Sequence, residues 1–397
     1  MVKVDKLFFE LLQVALGNRE CLSRIPFDKE WAGLYDESER QAVTGILLQG
    51  IERLKANTDG TDYTNNLPLE LLLQWIGIGE QIRQGNLSLT KRCKQLQGKV
   101  SDLGHNSSIL KGQGVALYYD EPLRELRQSG DIDIFVGCGL KGAMEIARLL
   151  GVENPKWDFK HLHLDLWEYT EIEMHYRVEV LLNQWKNRKL QRWFMEHQNA
   201  IFNANDNLDL NSNTDRTNDT NRFVTPTVEF NVFYILLHIY RHFLYEGVGM
   251  RQIVDYYFVL KRLNLNANDN LKSNTNHTNR ANFAIDSVKE FGMERFAKGL
   301  MWVMQDALGM PRDWMLWEPD DKEGKYILDE VMVGGNFGHH DQRLTHGGGK
   351  WNTVKQVCRH NWHLMRHYPA DVIWAPVWFV WHKCWKLKTK MLLAINL

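Results

Sequence analysis

From Lys6 to about Leu103, apolar residues recur at three- and four-residue spacing, most clearly in TGILLQGIERLKA (44–56) and LELLLQWIGIGEQIRQGNLSLTKRCKQLQGKVSDLG (69–104). That spacing gives each segment one apolar face and predicts a helical region over residues 1–104. After Gly104 the rhythm shortens. Alternating runs follow, SSILKG (107–112), DIDIFV (131–136), FKHLHLDLW (159–167) and TEIEMHYRV (170–178), with helical patterns from Gln113 and in LKGAMEIARLLG (140–151). They predict a mixed α/β unit over 105–202. Two asparagine-rich segments, 203–222 and 264–282, share the hexapeptide NANDNL and hold too few apolar residues to offset the entropy of ordering. Their composition predicts unordered surface loops. They bracket a strongly helical unit, 223–263, and the remainder, 283–397, reads mostly as helix and ends in the tryptophan-rich YPADVIWAPVWFVWHKCWKLKTK (368–390). The pattern as a whole predicts an α+β protein.

Length changes this picture little: 397 residues with 44% hydrophobic content can bury a sizeable core and suggest two or three domains. Charge narrows the function. With 48 basic and 49 acidic residues the net charge is −1, which provides no global field to draw in a polyanion, so nucleic acid is a disfavoured partner. The five cysteines (Cys21, Cys93, Cys138, Cys358 and Cys384) are widely spaced with no CxxC, which fits a reducing compartment and suggests neither a disulfide framework nor a thiolate zinc site. The first twenty residues carry charges around a short apolar stretch, so they read as an amphipathic helix rather than a secretion signal. No apolar run reaches the length of a membrane span. A cytoplasmic protein is the expectation.

The chemistry concentrates in DIDIFV. Side chains alternate along a strand, so Asp131 and Asp133 share one face, about 7 Å apart, while Ile132, Ile134 and Val136 share the other. Two like charges so placed repel, and a hard divalent cation with oxygen ligands, Mg²⁺ or Mn²⁺, relieves them; a plain solvated strand face is the bland alternative. The later strand repeats the device, with Glu171, Glu173, His175 and Arg177 opposite Ile172, Met174 and Tyr176. The strand between them sets His161, His163 and Asp165 opposite Leu162, Leu164 and Leu166. If these strands pair in one sheet, Glu173 approaches the two aspartates and completes a three-carboxylate metal site. Upstream, Gly112 and Gly114 turn a short strand into a helix, a geometry that lets phosphate approach backbone N–H groups. Lys111, Arg124 and Arg127 lie nearby in sequence to neutralise a polyphosphate.

LKGQGVALYYDEPLRELRQSGDIDIFV followed by EIEMHYR resembles the uncharacterised bacterial nucleotidyltransferase family of the polymerase β type superfamily. Its KG turn, arginine, DIDIhV strand and later EhH strand fall on Lys111 and Gly112, Arg127, Asp131 and Asp133, and Glu173 and His175. LLHIYRHFLYEGVGMRQIVDYY and GGNFGHHD extend the resemblance over most of 105–385. It implies a polymerase β type core, a small mixed sheet with helices, flanked by N-terminal and C-terminal helical regions. It implies an enzyme that moves a nucleoside monophosphate from an NTP to an acceptor hydroxyl. Asp131, Asp133 and Glu173 would be its catalytic residues and ligands of Mg²⁺ (or Mn²⁺); Lys111, Gly112, Gly114, Arg127 and His175 would bind nucleotide. One departure stands out: superfamily members follow this glycine with serine or glycine, whereas Gly112 precedes Gln113, so a serine contact to phosphate is missing. Two alternatives stay open, a DxD glycosyltransferase using a nucleotide sugar and a catalytically silent nucleotide-binding or regulatory module. The acceptor, whether small molecule, saccharide or protein, is not legible.

Other signals are weaker. His238 and His242 lie one helical turn apart with Glu246 a turn further, which suits zinc, a buried polar cluster or a helix face lining the nucleotide cleft. The glutamate of an HExxH motif is absent. Gly247, Gly249, Arg251, Gln252 and Asp255 form a polar break able to complete that cleft. GHHD (338–341) and RHNWHLMRH (359–367) lack a closed set of ligand spacings and read as structural histidines. Trp374, Trp378, Trp381 and Trp385 recur at mainly helical spacing and predict a core or interface stripe; the lysines after them also suit a membrane surface.

Overall fold

The computed structural model describes residues 3–57, 60–202, 223–269, 274–338 and 362–395. Four helices come first: α1 (Lys3–Leu16), α2 (Asp28–Arg40), α3 (Thr44–Lys55) and α4 (Leu69–Asp102). The α/β unit holds β1 (Ser107–Ile109), β2 (Asp131–Val136), β3 (Lys156–Trp157), β4 (His161–His163) and β5 (Glu171–His175). Its helices are α5 (Gln113–Ala116), α6 (Leu123–Leu126), α7 (Gly139–Leu149), α8 (Gln184–Glu196) and α9 (Gln198–Phe202). Then follow α10 (Val228–Tyr245), α11 (Met250–Asp269), α12 (Asn274–Glu290), α13 (Glu294–Leu308), α14 (Asp321–Gly334), α15 (Pro369–Val372) and α16 (Trp374–Ile395). The chain is α+β, a small sheet flanked by helices.

The sheet order is β1-β2-β5-β4-β3. β2 and β5 pair in parallel and the other neighbours are antiparallel, so the sheet is mixed. A parallel pair needs a crossover, supplied here by α7 and the β3–β4 hairpin. Alternation divides the sheet into two faces. Ile132, Ile134, Val136, Leu162, Ile172 and Met174 bury against Ala143, Ile146 and Ala147 of α7 and against Leu89, Cys93, Leu96 and Val100 of α4. The spacing of those four α4 residues is the stripe a helix needs to cover a sheet. At 34 residues α4 is about 51 Å long. Its first half therefore places Trp75 in the large helical core, while its second half floors the sheet.

The helical regions at the two ends of the chain pack together. Asn18, just after α1, donates from Nδ2 to the Leu308 carbonyl at 2.6 Å, and Gln13 donates to the Ala307 carbonyl at 3.3 Å. α10 is apolar nearly all round and correspondingly buried, with Phe230, Val232, Phe233, Leu236 and Leu237 inaccessible. Among the described residues no helix is long and apolar enough to cross a membrane.

The first asparagine-rich segment, 203–222, lies outside the described residues. The second differs from its compositional expectation: the backbone is helical at 264–269 and again at 274–282, where α11 ends and α12 begins; 270–273 lie outside the described residues. Asparagine and threonine cost a helix only a few tenths of a kcal/mol each, so two well-anchored helices propagate through them. The tryptophan stripe is an interface. Trp378, Trp381 and Trp385 surround Phe159 with ring centroids 5.0, 5.1 and 4.8 Å away. Arg177 stacks on the same ring at 3.9 Å, and Trp374 meets Trp185 at 4.9 Å. Of the histidine-rich stretches, 339–341 and 359–361 lie outside the described residues. His363 pairs with Glu330 at 2.9 Å and His367 stacks on Tyr326.

Candidate functional site

The parallel register sets Asp131 opposite Glu171 and Asp133 opposite Glu173, and the antiparallel register sets His163 opposite Glu173 and His161 opposite His175. One sheet face thus carries Asp131, Asp133, His161, His163, Glu171, Glu173 and His175. At its centre Asp133, 3% exposed, has Lys111 Nζ at 2.8 Å and His175 Nε2 at 2.7 Å, both on Oδ1. Glu173 Oε2 lies 3.3 Å from His175 Nε2 and 3.2 Å from His161 Nδ1. Glu173 is also the carboxylate that faces inward: its side chain is 18% exposed against 68% for Glu171. Asp165 lies beyond the end of β4 and is exposed.

One group of described residues that could hold a metal ion comprises Asp133, Glu173 and His175, with one donor atom from each within 4.8 Å of the others. Asp131 sits one register pair along, and its carboxyl is pushed above the usual range, first by the charge of Asp133 and then by burial. Such a raised pKa marks a place where negative charge outruns its compensation. Asp133 goes the other way: burial opposes its ionisation, but Lys111 and His175 outweigh it and hold the carboxyl well below the ordinary range. Glu173 is likewise opposed by burial, yet the His175 hydrogen bond brings it down to about 2. Lys111 is driven up by Asp133 against the effect of burial. His161 falls to about 3, because burial disfavours its cation and His175 adds to that.

Gly112 has φ +50°, a left-handed conformation that favours glycine and turns the chain from Lys111 toward α5. Gly114 is required for packing: a Cβ there would meet the Ile109 carbonyl oxygen at 2.6 Å and Thr225 Oγ1 at 2.8 Å. Gln113 is turned into α4, donating to Asn86 Oδ1 at 3.0 Å and accepting from Thr90 Oγ1 at 3.1 Å. The same Asn86 donates to the Arg127 carbonyl at 2.7 Å. Arg127 itself is buried in a bidentate pair with Asp255 on α11, at 2.6 and 2.7 Å, and donates to Ser129 Oγ at 2.6 Å. Its guanidinium is thereby committed within the protein. Arg124 donates to the Tyr119 carbonyl and pairs with Glu121. Arg251 donates to the Gln128 carbonyl at 3.1 Å, and both it and Arg127 lie within electrostatic reach of Asp131.

A second polar cluster adjoins the first. Glu179, fully buried, receives Lys160 Nζ at 3.3 Å, His238 Nδ1 at 2.9 Å and Arg241 Nε at 3.2 Å. His242 Nδ1 lies 2.6 Å from Glu246 Oε2. The His238–His242 pair is therefore a buried polar cluster in which each ring has a carboxylate partner, and no metal-compatible group among the described residues contains either. Glu179 was legible in principle, since the alternation of Glu171, Glu173, His175 and Arg177 continues to it. Lys160 was not, because its parity matches Leu162 on the apolar face.

A cavity of about 480 Å³ lies elsewhere, lined by Lys189, Arg192, Trp193, His197, Phe283 and Glu290 among others. It contains none of the motif residues. A model of the uncharacterised nucleotidyltransferase family matches residues 28–287. The chain belongs to that family. The match takes in α2 to α4 as well as the sheet. It supports a general nucleotidyltransferase function. No curated protein and no solved structure matches the chain.

Proposed function

We propose that the protein transfers a nucleoside monophosphate from an NTP to an acceptor hydroxyl, releasing pyrophosphate. The observation that carries this reading is the parallel β2–β5 register, which sets Asp133 beside Glu173 with Lys111 2.8 Å from Asp133. The oxygen donors Asp131, Asp133 and Glu173, with Asp131 under like-charge pressure, fit Mg²⁺ or Mn²⁺. When bound there, such a cation supplies neutralisation of the triphosphate and of the leaving pyrophosphate. Lys111 adds positive charge on the same face and holds Asp133 ionised. Glu173, ionised and part-exposed, accepts the hydrogen bond of the acceptor hydroxyl at Oε and helps draw off its proton. His175 holds the two carboxylates in register through Nε2.

The test is pyrophosphate release and nucleotide binding over a panel of NTPs with Mg²⁺. Asp131→Asn with Asp133→Asn should abolish Mg²⁺-dependent NTP binding in a folded protein, and unchanged binding would refute the assignment. A nucleotide sugar bound in preference to every NTP would instead point to the glycosyltransferase alternative. One observation favours a second reading: Gln113, where a serine contact to phosphate is expected, is locked onto Asn86 and Thr90. A silent nucleotide-binding module would bind NTP in the same assay and release no pyrophosphate with any acceptor.

A further inference from the structure

The sheet face described above has two chemical poles. Asp131 and Asp133 make one end oxygen-rich, whereas β4 brings two imidazoles, His161 and His163, to the other side of Glu173. The two rings are T-shaped with centroids 4.7 Å apart, and one donor atom from each, with one Glu173 oxygen, lie within 4.8 Å of one another. His161 Nδ1 is buried with no hydrogen-bond partner although Glu173 Oε2 is 3.2 Å away. That contact is not a hydrogen bond, so a neutral His161 with its proton on Nε2 would offer the Nδ1 lone pair to a cation beside the Glu173 oxygen. We propose that His161, His163 and Glu173 form a second cation site, which takes a nitrogen-preferring transition metal of the Zn²⁺ or Co²⁺ type rather than Mg²⁺.

Two imidazoles and one carboxylate match the donor set of catalytic zinc centres, which keep a fourth position for water or substrate. Donors around a tetrahedral Zn²⁺ lie about 3.4 Å apart, given metal–nitrogen distances of about 2.1 Å. Groups that start within 4.8 Å of one another need to close by about 1.4 Å at most to reach that spacing. Access is open, because the His163 side chain is 35% exposed against 13% for His161. Imidazole nitrogen also favours Zn²⁺ and Co²⁺ over Mg²⁺, so the two poles would sort two cations by ligand chemistry. The site shares Glu173 with the proposed transfer site, and its test is separable because the metal can be counted without nucleotide.

The experiment uses the full chain without a histidine tag, stripped of metal and titrated with Co²⁺ in excess Mg²⁺. Visible absorption of Co²⁺ and metal content are the readouts. The wild type should bind one Co²⁺ per chain at this site with ligand-field bands that Zn²⁺ abolishes. His163→Gln changes the more exposed ligand and should keep the fold while weakening Co²⁺ by about tenfold or more. His161→Gln with His163→Gln should lose the bands, and Asp131→Asn with Asp133→Asn should retain them. Bands unchanged in His163→Gln and in the double histidine variant would overturn the proposal. So would their loss in the aspartate variant alone, which would place Co²⁺ at the carboxylate pole.

Discussion

Arg127 was expected to meet phosphate, and the structure instead gives it a structural partner, which makes its pair with Asp255 the sharpest place to test the architecture. Arg127 and Asp255 are 4% and 7% exposed. Their two hydrogen bonds are 2.6 and 2.7 Å long, and Tyr119 donates its hydroxyl to Asp255 at 2.7 Å. Burial disfavours the Arg127 cation, yet Asp255 raises its pKa above the ordinary value. Removing one partner of such a pair strands a buried charge, at a cost of about 3–5 kcal/mol, whereas replacing both by apolar groups of similar volume is often close to neutral. Arg127→Met and Asp255→Leu alone should therefore each destabilise by about 3–5 kcal/mol. The double variant should lose only about 1 kcal/mol, most of it from the Tyr119 hydroxyl left without its acceptor.

With an unfolding entropy of about 2.1 cal/mol/K per residue, a chain of 397 residues loses about 1.2 °C of melting temperature per kcal/mol. Each single variant should melt about 4–6 °C lower on that scale, and the double variant close to wild type. Denaturant titration of all four proteins closes the cycle and yields a coupling energy of several kcal/mol. Single losses below about 1 kcal/mol that simply add in the double variant would refute the buried pair. If Arg127→Met kept full stability and lost only NTP affinity, its guanidinium would belong to the nucleotide after all.

Three further outcomes follow from the site. Glu173→Gln should lower kcat by roughly two to four orders of magnitude, the usual worth of a positioned base, while the more exposed Glu171→Gln turns over normally; the reverse pattern would move the assignment two residues. Because Glu173 is held down to about 2 from the ordinary glutamate value of 4.5, its contribution to stability is present above pH 4.5 and is lost as pH falls toward 2. The melting temperature of Glu173→Gln should therefore fall less steeply than that of the wild type across that window, and parallel acid limbs would contradict the shift. Gly114→Ala should destabilise by about 1–3 kcal/mol, since its Cβ would press on the Ile109 carbonyl and Thr225; Gly130→Ala, which meets nothing within 4 Å, is the matched control in thermal denaturation.

Much of the site was legible in the sequence because a strand forces a choice of face. Once Ile132, Ile134, Ile172 and Met174 need a core, Asp131, Asp133, Glu173 and His175 have nowhere to go but the opposite side. What alternation cannot state is which strands are neighbours. Glu173 stands beside Asp133 only because β5 inserts between β2 and β4, an order set by the β2–α7–hairpin crossover and not by any local pattern. The ion-pair partners were hidden for the same reason. Asp255 lies 128 residues from Arg127 and His238 59 from Glu179, and each reads as an ordinary polar residue on its own helix. His161 and His163 show both sides of this limit. Their parity put them on the polar face, but their meaning as a nitrogen pole depends on Glu173 arriving from β5, so a sequence with the same alternation and a different strand order would carry the same histidines without a common donor set.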